Sequence, residues 1–427
     1  MDSAVLIVLL IVGLALFFDF TNGFHDTANA MATPIATGAL KPKVAVLLAA
    51  GLNLVGAFLS TEVSKTISHG IIREDQLTAQ TAGDVPLMLP IIFAGLIGAI
   101  TWNMLTWLLG LPSSSSHALF GGLIGATLVG ASAAAIDFGE VLSKVVLPAL
   151  IAPFTAGVIA FVATKLAYAL TRRYDGKPDG RDGFRWGQIF TSSLVALAHG
   201  TNDAQKTMGV ITLTLIVAGF QDVDQADPQT WVIFACAITI ALGTYMGGWR
   251  IIRTLGKGLT DVKPAQGFSA EASTASTILA SSAFGFALST TQVASGSVIG
   301  SGLGRRGSTV RWRTVGRIAV GWLLTLPAAG AVGGLASLMV VWLGGWGVAI
   351  DAVLAAIVIT TIFALSRRDE VTASNAMSEV ADSGHAVNVK RNPPPTRRSR
   401  VAARNARELA EREKSERSES DTKGTSK

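Results

Sequence analysis

Eleven long apolar runs follow one another along the chain, separated by short polar or basic stretches. A helix needs about 20 apolar residues to cross the roughly 30 Å hydrocarbon core of a bilayer, and most of the runs reach that length. With 50% hydrophobic and 15% charged residues, the chain is too apolar for a soluble globule. We therefore predict an all-α polytopic membrane protein of about 10–12 transmembrane segments. The runs are 4–38, 44–64, 86–110, 113–135, 141–170, 186–219, 231–251, 268–288, 289–304, 314–342 and 346–366.

The rest of the composition excludes several other classes of protein. Cys236 is the only cysteine, so the sequence predicts neither a disulfide framework nor a cysteine metal site. The N-terminus lacks a basic region and a small-residue cleavage site, so we interpret Ala4 onward as the first membrane segment. The net charge of +6 lies largely in short loops and the C-terminal tail, and it does not indicate a nucleic-acid partner. The lipid bilayer is the expected partner, and no cofactor or resident metal is predicted.

Basic residues cluster in five places, and counting through the apolar runs puts all five on one side of the membrane. Lys and Arg concentrate in cytoplasmic loops. The pattern therefore predicts a multi-pass protein of the cell membrane with its N-terminus outside and its C-terminal tail in the cytoplasm. The clusters lie at 41–43, 172–185, 250–263, 305–317 and 367–368.

These patterns divide the chain into five predicted parts. The tail has many charges and almost no large apolar residues, so it cannot bury enough surface to offset its ordering entropy. The parts are a first transmembrane repeat (1–170), a basic cytoplasmic loop (171–185), a second, inverted repeat (186–345), a final transmembrane helix (346–366) and a disordered charged cytoplasmic tail (367–427).

A polar stripe interrupts the first apolar run. An ionisable group at membrane depth costs roughly 2.5–3.5 kcal/mol unless it is paired or faces water, so such a stripe needs a purpose. On a helix its members line one face and are suited to a polar cargo. Gly23 is predicted as a place where this helix opens and exposes its backbone groups. The stripe consists of Asp19, Asn22, Asp26, Asn29 and Thr33.

A second copy of the motif lies 177 residues further on and aligns without gaps. If the basic clusters are cytoplasmic, the helix with Asp26 runs inward and the helix with Asp203 runs outward. The chain is then two inverted-topology repeats, a common plan for secondary transporters, with the functional site where the copies meet. The matched positions are Gly23 with Gly200, Asp26 with Asp203, Asn29 with Lys206 and Met31 with Met208.

A second repeated block, 112–125 and 287–300, supports the duplication. Each copy carries a cluster of hydroxyl residues followed by glycines that are expected to permit close helix packing. The run 289–304 is too short to span comfortably, so it can form a re-entrant hairpin with 268–288, and 111–131 can do the same. The clusters are Ser114, Ser115 and Ser116 in one copy and Ser289, Thr290 and Thr291 in the other, and the glycines are Gly121, Gly125, Gly296 and Gly300.

Hydroxyl clusters at helix starts indicate an anion site. The first backbone N–H groups of a helix are unpaired, and the macrodipole adds positive potential there. Asp26 and Asp203 cannot bind a bare anion, so the pattern also requires a proton, a sodium ion or a metal ion chelated with the anion. Lys206 is an ammonium where the first repeat has Asn29, and it can take the place of a coupling cation. The interpretation of Lys206 as a structural partner of a carboxylate stays open.

Further polar residues are candidates for coupling or for orienting the ligands. The histidines can carry protons. The predicted coupling residues are Asp19, Asn22, His25, His117, His199, Asn202 and Gln292. The more distant supporting candidates are Asn53, Glu62, Lys65, Asn103 and Glu271.

Both repeated blocks resemble the duplicated signatures of the inorganic phosphate transporter (PiT) family. The quoted stretches are 23–30 with 200–209 and 112–117 with 289–292, and the similarity extends over 4–366. The resemblance implies a phosphate site lined by Asp26, Asn29, Asp203 and both hydroxyl clusters. It also implies proton or sodium coupling, and in similar bacterial members uptake of a neutral metal–phosphate complex with protons. Lys206 replaces the family's usual Asn, which favours the proton-coupled group, and Gln292 replaces an expected His.

Other functions are weaker alternatives. A sulfate or other oxyanion carrier fits the same donors, and a sodium-coupled phosphate carrier fits the same family. An intramembrane hydrolase would need Ser116 and His117 as a pair, but adjacent helical residues point about 100° apart. A passive channel does not need buried carboxylates with a buried Lys. The sequence therefore predicts a secondary transporter, not an enzyme, and leaves a homodimer open.

Overall fold

The structure is a computed structural model that describes residues 3–69, 72, 81–82, 85–174, 183–368 and 370–376. Most of these residues are helical, which confirms the predicted all-α class. A short antiparallel hairpin joins β1 (Thr81–Ala82) to β2 (Val85–Pro86). The α-helices in the described residues are α1 (Ser3–Ala36), α2 (Pro42–Gly56), α3 (Glu62–His69), α4 (Met88–Leu108), α5 (Ser115–Gly130), α6 (Phe138–Glu140), α7 (Leu147–Leu170), α8 (Gly183–Val217), α9 (Thr230–Met246), α10 (Trp249–Arg253), α11 (Pro264–Ala283), α12 (Thr290–Gly304), α13 (Trp312–Leu343) and α14 (Gly345–Ser366).

Five described helical stretches are long and apolar enough to cross a bilayer: Ala4–Ala36, Met88–Leu108, Phe138–Leu170, Trp312–Leu343 and Gly345–Ser366. A sixth results if Thr230–Met246 and Trp249–Gly258 are one span with a 58° bend. The helices α2 and α5 are apolar but have only 15 and 16 residues. The chain is thus a multi-pass membrane protein. The larger number of segments, the inverted sense of the repeats and the orientation of the termini stay predictions.

Two apolar runs are broken where the sequence predicted continuous segments. The run 44–64 is not one helix, because α2 ends at Gly56 and α3 begins only at Glu62. The run 231–251 is interrupted at Gly247, whose φ of +72° lies in the left-handed region that glycine tolerates. The sequence did not predict these breaks because hydropathy reports apolar length and is insensitive to a local change of backbone direction.

The structure corrects the prediction that the first helix opens at Gly23. The helix α1 is continuous through this position. Gly23 instead lies against α9, where a Cβ atom would overlap the carbonyl oxygen of Ile240. Gly243 of α9 makes the reciprocal contact with the carbonyl oxygen of Phe20. The glycines therefore let two helix backbones touch, a contact that a larger side chain would prevent.

The second copy of the motif makes the same kind of contact with a helix of the first repeat. A Cβ atom on Gly200 of α8 would overlap the carbonyl oxygen of Asn53 in α2, and one on Gly56 would overlap that of Leu197. Thus α1 of the first repeat packs on α9 of the second, while α8 of the second packs on α2 of the first.

The second repeated block also exchanges partners between the repeats. The helix α5 packs on α13, and α12 packs on α7. The four glycines predicted to permit close packing lie at these two crossings, so that prediction is confirmed. A Cβ atom would overlap the carbonyl oxygen of the facing residue in each pair: Gly121 with Leu326, Gly125 with Gly330, Gly296 with Pro153 and Gly300 with Gly157.

Replacing Gly300 by alanine is expected to lower stability by about 1–3 kcal/mol, since the added methyl group meets backbone that cannot rotate away. Gly316→Ala is the matched control, because nothing lies within 4 Å of its Cβ position in α13. Thermal unfolding of the purified protein in detergent measures both changes. Equal midpoints for the two variants would contradict the assigned role of Gly300.

Both hydroxyl clusters begin a helix, as predicted. The side chain of Ser114 caps α5 by accepting a hydrogen bond from the backbone N–H of His117 at 3.2 Å. Ser289 caps α12 in the same way, accepting from the N–H of Gln292 at 3.3 Å. The structure joins α11 to α12 through residues 284–289. The re-entrant character of these helices stays a prediction.

The chain divides by its contacts into two units, Met1–Ser378 and Glu379–Lys427. All the described residues belong to the first unit. The predicted tail from residue 377 onward and residues 175–182 of the predicted basic loop lie outside the described residues. The predicted domain boundaries at 170, 185, 345 and 366 therefore remain predictions.

Candidate functional site

The middle of α1 and the middle of α8 meet the beginnings of α5 and α12 in one buried polar cluster. Thr290, at the start of α12, joins the two repeated carboxylates. Its Oγ1 lies 3.1 Å from Oδ2 of Asp203 and 3.4 Å from Oδ2 of Asp26. Since a hydroxyl has one proton, it donates to one carboxylate at a time. The two copies of the motif are therefore brought together, as the sequence predicts.

Asp26 is surrounded by donors from three helices. Thr291 Oγ1 donates to Oδ1 at 2.9 Å, and Ser115 Oγ donates to Oδ2 at 3.0 Å. His25 Nδ1 lies 2.9 Å from Oδ1 on the same helix. The Asp26 side chain is 1% exposed, so these groups replace the water that would otherwise solvate its charge.

Asp203 has a different environment, because its neighbours include a fixed cation. The Lys206 ammonium hydrogen bonds to Oδ1 of Asp203, and it lies 3.3 Å from the carbonyl oxygen of Leu288. His199 Nε2 lies 2.7 Å from the other oxygen, Oδ2. Lys206 and Asp203 are both completely buried, so their charges compensate each other inside the protein.

Asn29 occupies the position in the first repeat that Lys206 occupies in the second. Its Nδ2 lies 3.1 Å from Oγ1 of Thr291 and 3.4 Å from Oγ1 of Thr290. Its Oδ1 has no hydrogen-bond partner within the described part of the chain. The half of the site around Asp26, called the first half-site, thus keeps a neutral amide oxygen that can coordinate a cation. The half around Asp203, called the second half-site, already contains an ammonium.

Ser116 and the matched pair His117 and Gln292 are the remaining predicted residues of the second repeated block. Ser116 Oγ donates at 3.2 Å to the carbonyl oxygen of Leu288, the same oxygen that faces Lys206. His117 Nδ1 lies 3.5 Å from Nε2 of Gln292, so the two matched positions meet. Because α5 and α12 start here, their unpaired N–H groups and dipoles favour an anion beside the hydroxyl clusters.

Several supporting contacts were not predicted from the sequence. His25 Nε2 lies 3.3 Å from Oγ1 of Thr106 and from Oγ of Ser113. His199 Nδ1 lies 3.3 Å from Oδ1 of Asn53, and Nδ2 of the same Asn53 donates to Oγ1 of Thr244. These contacts fix the direction of both imidazoles. Asn53 was a supporting candidate, but no repeated motif pointed to Thr106 or Thr244.

Other candidates lie further from the carboxylate pair. Asp19 is buried on α1 and accepts a hydrogen bond from Thr207 Oγ1 at 3.0 Å. Asn22 is buried, and its amide atoms have no partner among the residues the structure describes. Asn202 instead points away from the site, donating to Ser282 Oγ at 2.9 Å and to the carbonyl oxygen of Phe286 at 3.3 Å.

Among the more distant candidates, Glu271 is buried where α1, α8 and α11 meet. It accepts from Thr33 on α1 and from Thr191 at 2.9 Å and Gln188 at 3.3 Å on α8. The structure thus gives this carboxyl group neutral donors on both oxygens. Asn103 is also buried, without a side-chain partner in the described chain.

Glu62 and Lys65 do not support the site, which corrects their prediction as supporting residues. Lys65 Nζ lies 3.1 Å from Glu62 and 3.2 Å from Asp227, in an exposed cluster at the start of α3. The hydrogen bond to Glu62, with the one to Asp227, raises the pKa of Lys65. Their polarity therefore reflects contact with solvent.

Three groups of the cluster have the geometry of a cation site. One oxygen each from Asp26 and Asp203 and one ring nitrogen of His199 lie within 4.8 Å of one another. Carboxylate and imidazole are ligands that divalent first-row metals accept. The three groups therefore have the ligand types and spacing of a metal site.

The chain is similar in sequence to known phosphate transporters. The model of the phosphate transporter family matches residues 22–179 and 169–333. A protein of Mycobacterium tuberculosis (strain CDC 1551 / Oshkosh) is 51% identical over 380 residues, covering 89% of this chain and 88% of its own length. A protein of Bacillus subtilis is 40% identical over 336 residues, covering 79% of this chain and 98% of its own length. Both are named probable low-affinity inorganic phosphate transporter.

A solved structure has the same fold. It is described as the sodium-dependent phosphate transporter, and it superposes with a TM-score of 0.68 at 24% sequence identity. The match covers 79% of this chain and 99% of that one. At this identity the likeness concerns the fold alone. The matched family and the relatives are transporters, so the alternative of an intramembrane hydrolase is set aside.

Proposed function

The chain belongs to the phosphate transporter family, and from that premise we propose that it imports inorganic phosphate by proton symport. We further propose that phosphate is carried as a neutral complex with a divalent metal ion. The contact between Lys206 and Asp203 is the observation that favours the proton over sodium as the coupling ion.

Phosphate and the carboxylates compete for the same donors. Ser115, Thr290 and Thr291 each have one hydroxyl proton, and each directs it toward Asp26 or Asp203. When these protons turn to phosphate oxygens, the carboxylates lose hydrogen bonds inside a buried site. A buried charge without partners is expensive, so phosphate binding must be accompanied by a cation or a proton. This competition for donors supports the proposal of symport.

The second half-site is unsuited to a mobile sodium ion. The Lys206 ammonium already lies against Asp203, and it repels a second cation at that carboxylate. The first half-site has Asp26, His25 and the unpartnered oxygen of Asn29, so a mobile charge is expected there. A proton needs no coordination shell, which makes it the simplest coupling ion.

Asp19 provides a further place for a proton. Its Oδ1 accepts a hydrogen bond from the neutral hydroxyl group of Thr207, whereas Asp26 has a histidine beside it and Asp203 has a lysine. The Asp19 carboxyl group is completely buried. We infer that protons pass between Asp19 and the Asp26 half-site during transport.

The metal ion is proposed as cargo. Asp26, His199 and Asp203 offer two carboxylate oxygens and one imidazole nitrogen to a cation bound to phosphate. Such a cation arrives with its charge balanced by phosphate, so the Lys206 ammonium on Asp203 repels it less than it repels a bare sodium ion. A metal–phosphate complex is neutral, so it brings no net charge to the hydroxyl clusters while it is bound.

We propose that the protein lies in the cell membrane with its N-terminus outside. The basic clusters, among them 250–263 and 367–368, are then predicted to be cytoplasmic.

The test is uptake of radiolabelled phosphate into proteoliposomes, with the pH gradient, sodium and a divalent metal varied one at a time. We expect an inward proton gradient to drive accumulation, sodium to have no effect, and a divalent metal to increase the rate. Excess unlabelled sulfate is the specificity control, and it should not compete. If uptake collapses without sodium and returns only with it, Lys206 has been misinterpreted and proton symport is wrong.

A further inference from the structure

Two cavities adjoin where α9 bends into α10. One has a volume of about 510 Å³ and a mixed polar lining that includes Arg250, Arg367 and Glu370. The other has a volume of about 250 Å³ and an almost wholly apolar lining. They share Trp107, Met246, Gly247 and Phe363, so a polar chamber and an apolar slot lie side by side.

The polar chamber is built by two arginines at helix ends. Arg250 donates to the carbonyl oxygen of Leu108 at 3.3 Å and to that of Ser366 at 2.7 Å, which ties it to the last turns of α4 and α14. Arg367 lies over the Phe363 ring at 5.1 Å. With Glu370 as the acidic member, the named charged groups leave a net positive charge. A planar guanidinium is suited to phosphate oxygens.

The apolar slot is lined by aromatic and aliphatic side chains from four helices. Phe17, Phe20 and Phe24 come from α1, and Phe24 packs edge-to-face on Trp107 of α4 with ring centroids 5.2 Å apart. The slot is lined by ten residues, and Thr360 is the one hydroxyl among them. Such a surface accepts a hydrocarbon chain and repels a hydrated ion.

We propose that the polar chamber and the apolar slot together bind an anionic phospholipid, with its phosphate at Arg250 and Arg367 and one acyl chain in the slot. A cationic chamber beside an aromatic slot matches the charged headgroup and the hydrocarbon chain of a phospholipid. An inorganic ion has no apolar part that would fill the slot. Basic pockets between membrane helices on the cytoplasmic side are a known form of lipid headgroup site. The predicted orientation places both arginines on that side.

The site lies against the helix that carries Asp26. Phe24 lines the slot and precedes His25, whose imidazole contacts Asp26. At the bend, a Cβ atom on Gly248 would overlap the carbonyl oxygen of Phe24, so α1 and the α9–α10 corner touch directly. A lipid in the slot would therefore stabilise the position of α1 beside the transport site.

The test compares lipid retention by wild type, Arg367→Gln and Arg368→Gln. Arg368 is the matched control because it is the next arginine in the chain and does not line the chamber. Native mass spectrometry is used after incubation with phosphatidylglycerol or phosphatidylcholine. We expect wild type to retain phosphatidylglycerol preferentially, Arg367→Gln to retain about fivefold less, and Arg368→Gln to behave as wild type.

Two further measurements test the apolar slot and distinguish a phospholipid from inorganic phosphate as the bound molecule. Thr360→Trp fills the slot, and it should also reduce retention while leaving both arginines unchanged. Millimolar inorganic phosphate should not displace the lipid. The proposal is wrong if phosphatidylcholine is retained equally, if both arginine variants lose the same amount of lipid, or if inorganic phosphate displaces it. These outcomes do not depend on which ion drives transport.

Discussion

Replacing Asp26 by asparagine is expected to abolish coupled phosphate uptake, with a loss of at least about a hundredfold in rate. Asparagine has nearly the same shape, but it is neutral, and its amide nitrogen would face the Thr291 or Ser115 hydroxyl groups that now donate to Asp26. The half-site would then hold neither a proton nor a metal ion. Uptake of radiolabelled phosphate into proteoliposomes measures the loss.

The control for this variant is Asp351→Asn. Asp351 is also a buried aspartate, but it lies on α14 and takes no part in the polar cluster around Asp26. We expect the control to transport at the wild-type rate, since it leaves every donor of the site in place. Equal and normal transport by both variants would remove Asp26 from the mechanism.

Replacing Lys206 by methionine is expected to cost about 3–5 kcal/mol of stability, because it leaves Asp203 buried without its cation. The double variant Lys206→Met with Asp203→Asn removes both charges and should recover most of the stability. It should not recover transport, since the second half-site then lacks its carboxylate. Thermal unfolding and phosphate uptake, measured on the same preparations, separate these effects.

The single and double variants together test whether the ion pair is the reason for the effect. If Lys206→Met is as stable as wild type, the ammonium does not balance Asp203. Lys206→Asn recreates the residue of the first repeat, and it is expected to reduce proton-driven uptake. Some sodium dependence in this variant would support the interpretation of Lys206 as a fixed cation.

Repeated short motifs were the most informative part of the sequence. They predicted that Asp26 and Asp203 lie together and that Ser114 and Ser289 begin helices, because both properties depend on local spacing and on the duplication. The structure places these groups as expected.

Contacts between distant helices were beyond such patterns. Nothing in the local sequence around Gly23 distinguishes a helix that opens from one that touches a neighbour, and the touching partner is in α9. The contact between His199 and Asn53 depends in the same way on how α2 packs against α8. The apolar neighbours of Glu62 suggested that it is buried, but its side chain is exposed at the start of α3.

The crossed packing of the repeats has a consequence for biosynthesis. The ribosome completes α1 and α2 long before it makes α8 and α9, yet Gly23 of α1 packs on α9 and Gly56 of α2 packs on α8. These two glycine surfaces must therefore remain uncovered in the bilayer until the second half is made. Contacts of such long sequence separation form slowly and favour misassembly in the interval. A chaperone or insertase that shields small-residue helix faces would shorten that exposure, and a half-length chain would have no partner to release it.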